Sequence, residues 1–387
     1  MDFSPAPTPS SPTTNEPLAT PEIPALPQPT AATYRHNFFY GPFGLRAVWS
    51  LLIYFALLFA VVMSVRAVQH KIKHRHDHDT AATTKTAPAA SPAAVKPDES
   101  KPEEMKPMII GEFVLFGAFL LITWPMARIE HRRLGVYGLG GSHSVSRFFT
   151  GALWGLIAMA LLIAMLHFGH LLVFDSRLDH GPAILGWGAA QLLGFLLVGL
   201  FEEYCFRGYI QYTLTRGMVS IGNLFSPAKA RSIAFWIAAV ITSALFYFAH
   251  TGNGGENAVG LLSVFFAGLL LIVALWRTGS LWWAIGFHMA WDWSQSFLYG
   301  VPDSGGLMQG RLFATHAIGK PLLSGGTAGP EGSLLCLPIM LLVILVLIFF
   351  TKPSPQPPLE TQPQLDALNA STPPEAPPSI LSPEPAS

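Results

Sequence analysis

Eight apolar runs of membrane-spanning length, separated by short polar or Gly/Pro-bearing joints, set the pattern of this chain between residues 48 and 350. They fall at 48–65, 108–126, 148–166, 184–200, 234–250, 258–276, 281–297 and 333–350. About twenty apolar residues in helical rise cross a ~30 Å hydrocarbon layer. The pattern therefore predicts an all-α fold: a polytopic membrane helix bundle of about eight transmembrane helices. The run at 333–350 holds no charge, which predicts a structural role.

The segments outside the runs are of a different kind. Residues 1–44 are rich in Pro, Thr, Ser and Ala and contain no compact apolar stretch of signal-peptide type. Such a segment buries too little apolar surface to offset its ordering entropy, which predicts a disordered tail. Residues 45–68 hold the first span, and 69–107 a polar loop with His70, His74, His76 and His78 beside Asp77 and Asp79. A His-rich tract of this kind reads either as a solvated mixed-charge loop or as a metal-binding stretch. Residues 301–350 hold a Gly/Pro loop and the last span, and 351–387 read as a second disordered, Pro-rich tail.

Composition sharpens the picture. Of 387 residues, 51% are hydrophobic and only 12% are charged, about half the share in soluble domains. Formal net charge is zero, so no bulk attraction to nucleic acid is expected. Cys205 and Cys336 both lie in or beside apolar segments and read as small buried residues, not as a disulfide framework. Lys and Arg concentrate in the tails and in the joints after the second, fourth and sixth runs. By the positive-inside rule both termini are expected in the cytoplasm. The eight basic residues of the loop between the first two runs oppose that orientation.

Against so apolar a background, the polar residues inside the runs stand out. The stretch 192–212 reads LLGFLLVGLFEEYCFRGYIQY. Glu203 and Arg207 are i,i+4 and can pair on one helix face, while Glu202 is rotated about 100° away. One glutamate held by arginine and one left over divides a structural carboxylate from a working one. The run at 234–250 ends Phe246-Tyr-Phe-Ala-His250, and the run at 281–297 carries His288-Met-Ala-Trp-Asp292. Gly286 and Ala290 would let a neighbouring helix approach closely. Each intramembrane charge costs at least ~2.5–3 kcal/mol on insertion scales, so packing alone is a poor reason to keep them.

These side chains have a chemistry in common. A carboxylate beside a neutral imidazole can bind and deprotonate a water, and a second imidazole oriented by a carboxylate can stabilise an oxyanion. No Ser/His/Asp arrangement and no HExxH is evident. Cys205 sits beside two carboxylates, which oppose thiolate formation. The expected reaction is peptide hydrolysis by water within the membrane. The water is activated by Glu202 with His250, or by a divalent metal such as zinc held by Glu202, His250 and His288. Two other readings use the same residues: a non-enzymatic immunity or scaffold protein, and a transporter with a proton relay. Inverted-repeat symmetry would favour the transporter, and none is visible.

The order EExxxR, FxxxH, HxxxD on three apolar helices resembles the CPBP family of intramembrane proteases, which comprises the type II CAAX prenyl proteases and Abi-type relatives. The resemblance spans roughly residues 108–297. It implies an eight-helix bundle around a conical, water-filled cavity and a CAAX-processing-like endopeptidase acting on a peptide or protein substrate that can be prenylated. It also implies that Glu202 and His250 position the water, that His288 and Asp292 form the oxyanion hole, and that Glu203 and Arg207 support them. Asp at 292, where Asn is the common alternative, and the long His-rich loop depart from the minimal pattern.

Overall fold

The computed structural model describes residues 38–61, 63–64, 105–140, 143–178 and 181–371. The His-rich tract 70–79 and the tails 1–37 and 372–387, for which the sequence predicts a polar loop and disordered ends, lie outside the described residues.

Each of the eight apolar runs is helical. A short hairpin, β1 (Tyr40–Gly41) with β2 (Gly44–Leu45), precedes α1 (Ala47–Val61). Then come α2 (Met105–Ile129), α3 (Ser144–Phe168), β3 (Leu172–Arg177) and α4 (Ala183–Glu202). After α4 the helix widens into a π segment at Glu203–Ile210 and continues as α5 (Gln211–Phe225). Next are α6 (Ala230–His250), α7 (Ala258–Thr278) and α8 (Trp282–Trp293), the last running into a π turn at Ser294–Leu298. β4 (Phe313–Ala317) pairs antiparallel with β3. The short α9 (Pro321–Ser324), α10 (Cys336–Phe350) and α11 (Gln362–Ser371) complete the described chain.

Lipid offers backbone groups no hydrogen bonds, so apolar segments crossing it close their own ladders as helices. Five helical stretches are long and apolar enough to cross a membrane: Lys106–Ile129, Ser144–Phe168, Ala183–Phe225, Pro227–His250 and Ala258–Thr278. Ala47–Val61 and Cys336–Phe350 are shorter apolar helices. The expected span at 184–200 is thus the first half of an unbroken helix. Glu203, Arg207, Gln211, Thr215 and Arg216 continue it because all five are buried inside the bundle and do not mark its end.

The twelve-residue α8 is the axis. Helices α3, α4 and α7 pack around it, and nine of its residues are buried. Missing side chains allow the approach of α3. A Cβ at Gly151 would lie 2.0 Å from the Trp283 carbonyl oxygen, one at Gly155 2.4 Å from that of Phe287, and one at Gly286 2.1 Å from that of Phe148. The close approach expected of Gly286 is therefore realised, and α3 supplies the complementary glycines.

The two ends of the bundle differ. One end carries β1–β2, the joints at 130–140, 226–229 and 279–281, and α11. Buried Glu130 accepts hydrogen bonds there from Tyr137 (3.2 Å) and Tyr209 (2.9 Å) and pairs with Arg216 at 3.3 Å. Burial, reinforced by the Glu130 carboxylate, raises the Tyr137 phenol above its ordinary pKa, so it stays a donor. Arg132 donates to the carbonyls of Phe43 (2.7 Å) and Glu360 (2.8 Å), and Arg216 to that of Leu45 (2.6 Å). These bonds correct the expected tails. Residues 38–44 and 351–371 are ordered chain, because buried guanidinium groups hold their carbonyls and Leu359 is buried against the bundle. The opposite end carries the β3–β4 ribbon and the loops 251–257 and 299–335.

Candidate active site

A cavity of about 290 Å³ lies beside α8 and reaches that opposite end. Its deep wall is apolar, with Phe195, Val264, Leu270, Leu271, Phe287 and Met340. Four of the six sequence-predicted residues line it: Glu202, His250, His288 and Asp292. Glu203 and Arg207 stand behind it at 0% and 1% exposure. Three helices that are distant in sequence are thus brought together as the motifs require.

The π segment starts at Glu203, one residue after Glu202. Widened turns of this kind collect at functional sites. The two adjacent glutamates take different environments across it. Glu203 Oε1 accepts from Arg207 Nη1 at 3.0 Å and from His288 Nδ1 at 2.9 Å. Glu202 faces the cavity with Oε2 buried, without a hydrogen-bond partner, and 3.8 Å from His288 Nε2. The division into one held and one free glutamate is what the spacing predicted. The tie of Glu203 to His288 crosses from α4 to α8 and is not legible in any single motif.

Phe246 has a role that the spacing alone leaves blank. Its ring lies 3.9 Å beneath the Arg207 guanidinium and edge-on to Phe206 at 5.1 Å. Among the described residues, Nε and Nη2 of Arg207 have no hydrogen-bond partner, and the aromatic face attracts that buried charge. The Phe246 carbonyl takes His250 Nδ1 at 2.8 Å. A carbonyl only accepts, so Nδ1 carries the proton, and in the neutral imidazole Nε2 is left as an acceptor. Phe246 therefore links the Glu203–Arg207 pair to His250.

On α8, His288 Nε2 lies 3.4 Å from Asp292 Oδ2, one turn along. Asp292 also meets two acids absent from the sequence-level candidates. Oxygens of Asp292, Asp303 and Glu331 lie within 4.8 Å of one another. Asp303 and Glu331 sit in ordinary-looking loops, and nothing in their spacing marks them. Glu112 of α2 also lines the cavity, and its signal was available: it is a lone carboxylate in the apolar stretch MIIGEFVLF.

Among the described residues, the group spaced to share one ion is Asp292, Asp303 and Glu331, not Glu202, His250 and His288. Three carboxylates without nitrogen or sulfur suit hard cations, whereas zinc sites use histidine and cysteine prominently.

Residues 185–294 match the model of a protein family described as type II CAAX prenyl endopeptidase, Rce1-like. No curated protein and no solved structure matches the chain. The matched segment contains all six motif residues and the whole of α8. The chain is an integral membrane protein whose motif-bearing segment, 185–294, is similar to the Rce1-like type II CAAX prenyl endopeptidases.

Proposed function

We propose that this protein is an intramembrane endopeptidase of the CAAX-processing kind, hydrolysing a peptide bond with a water activated by Glu202. The observation that carries the proposal is the free carboxylate oxygen of Glu202 in one cavity with His250 and His288. In this reading Glu202 accepts a proton from a water that also donates to His250 Nε2. The water oxygen attacks the scissile carbonyl carbon, and its C–O bond forms as the carbonyl becomes an oxyanion. His288, as the imidazolium, donates Nδ1–H to Glu203 and offers Nε2–H to that oxyanion. Asp292 acts through His288, whose Nε2 lies 3.4 Å from its Oδ2. As the C–N bond breaks, Glu202 returns its proton to the leaving amine, so atoms and charge balance.

Arg207 and Phe246 support this arrangement by holding Glu203 and His250. The apolar wall accepts hydrophobic side chains or isoprenyl carbons of a peptide or protein substrate. Both termini lie in the cytoplasm in this reading, because the end that carries residues 38–46 and 351–371 is rich in arginine, with Arg46, Arg128, Arg133, Arg231 and Arg277.

The test is cleavage of prenylated and unprenylated peptide libraries by the purified protein in liposomes. Glu202→Ala and His288→Ala are each expected to lower kcat by at least ~10²-fold, the low end for loss of a general base. Membrane insertion and elution volume should stay unchanged. A purified Glu202→Ala variant that cleaves at the wild-type rate removes the mechanism.

A further inference from the structure

A basic cleft opens where α2 leaves the apolar layer. Its volume is about 510 Å³, within the roughly 300–1,000 Å³ of small-ligand sites. Trp124 and Arg128 of α2, with Arg133 and Leu134 of the joint that follows, form one wall, and Gln362 and Asp366 of α11 form the other. The two walls are tied together. The Gln362 backbone N–H donates to the His131 carbonyl at 2.9 Å, and Arg132 donates to the Glu360 carbonyl at 2.8 Å. The cleft is therefore a product of the ordered C-terminal segment and not of α2 alone.

Its positive charge is not neutralised from within. Arg128 and Arg133 are exposed, and neither has an ion-pair partner among the described residues. Arg128 stands over the Trp124 ring, 5.3 Å from its centre. Arg132 is spent on Glu130, the Tyr212 hydroxyl and two carbonyls. One carboxylate, Asp366, lies on the α11 wall, where its Oδ1 accepts from Gln362 Nε2 at 2.8 Å. Two open guanidinium groups against one carboxylate leave the lining positive, and the guanidinium fork matches phosphate oxygens.

The rest of α2 determines the kind of anion. Ile110, Phe113, Leu121 and Trp124 recur at helical spacing on the face that ends in Arg128, and they are 56%, 66%, 77% and 53% exposed. Of the five long apolar stretches, this one buries the smallest share of its apolar window, 22%. Its apolar face meets acyl chains, and a tryptophan at the end of a span sits at headgroup depth. A soluble anion uses none of that face. A phospholipid uses all of it, with its chains along 110–124 and its phosphate between Arg128 and Arg133.

We propose that the cleft between α2 and α11 binds the phosphodiester headgroup of an anionic phospholipid. Basic pockets beside membrane helices hold such headgroups by the same chemistry. Bound there, the headgroup bridges the C-terminal helix to α2, the helix that brings Glu112 to the wall of the active-site cavity. The site does not depend on the chain being a peptidase, and its test reads binding directly.

The experiment is native mass spectrometry of the full chain in detergent micelles, titrated with phosphatidylglycerol, phosphatidylcholine or inorganic phosphate. Phosphatidylglycerol is expected to bind about tenfold or more tightly than phosphatidylcholine, and inorganic phosphate should not displace it. Arg128→Gln and Arg133→Gln should each weaken phosphatidylglycerol binding about fivefold. Asp366→Asn removes the opposing carboxylate and should tighten it. Arg177→Gln, on the exposed ribbon at the other end, should change nothing. Wild-type binding must also weaken as salt is raised, a reading that needs no variant. Equal binding of the two lipids, unchanged binding in both Arg128→Gln and Arg133→Gln, or displacement by inorganic phosphate each overturn the site.

Discussion

Replacing Arg207 by methionine keeps the length and apolar stem of the side chain and removes its charge. Glu203, with 0% exposure, then keeps only His288 as a partner. The lost contact is an ion pair at 3.0 Å between two side chains that are both fully buried. At an effective dielectric of about 20, a 3.0 Å pair is worth about 5 kcal/mol of Coulomb attraction. Removing one partner of a buried pair costs about 3–5 kcal/mol in practice, because the other charge stays desolvated. The guanidinium also leaves the Phe246 ring, a desolvated cation–π contact of about 2 kcal/mol that overlaps the same loss. The expected destabilisation is therefore about 3–5 kcal/mol.

The double variant Glu203→Gln/Arg207→Met tests the cause. It removes the stranded charge and leaves an amide oxygen to accept from His288 Nδ1, so it should be more stable than Arg207→Met alone. Unfolding in mixed micelles, followed by tryptophan fluorescence, measures both. If Arg207→Met lies within about 0.5 kcal/mol of wild type, or if the two single losses simply add, the pair does not hold the site as argued.

Three other outcomes rest on the same geometry. Phe246→Leu should lower kcat about tenfold or more while leaving KM nearly unchanged, because it removes the ring that lies against Arg207 and 4.4 Å from the His250 ring; steady-state kinetics on a cleaved peptide checks this. Gly155→Ala puts a methyl 2.4 Å from the Phe287 carbonyl oxygen, a backbone atom that cannot step aside. It should cost about 1–3 kcal/mol of stability by overpacking, whereas Gly111→Ala, with open space around its Cβ position, should not. Deleting residues 352–371 removes the carbonyl acceptors of Arg132 (Glu360) and Tyr212 (Pro358), and the variant should lose about 2 kcal/mol or more in the same micelle assay.

Local chemistry made much of this protein legible. The eight apolar runs imply helices because lipid leaves a backbone no other partner. The cost of a charge in such a run singles out Glu202, Glu203, Arg207, His250, His288 and Asp292 without any coordinates. Helical spacing alone pairs Glu203 with Arg207 and His288 with Asp292.

Other features depend on which surfaces meet. Helix α4 continues past Leu200 because its polar residues find partners on α6, on α8, at Glu130 and at residues 43–50, tens of residues away. The ordered stretches 38–44 and 351–371 result from the carbonyl-binding arginines Arg132 and Arg216, and composition cannot register that. Asp303 and Glu331 are unremarkable loop acids until the fold closes them over Asp292. Periodicity reports one helix face at a time. The free oxygen of Glu202, the bond from Glu203 to His288 and the group of Asp292, Asp303 and Glu331 each join side chains of separate elements, and only packing around α8 determines those distances.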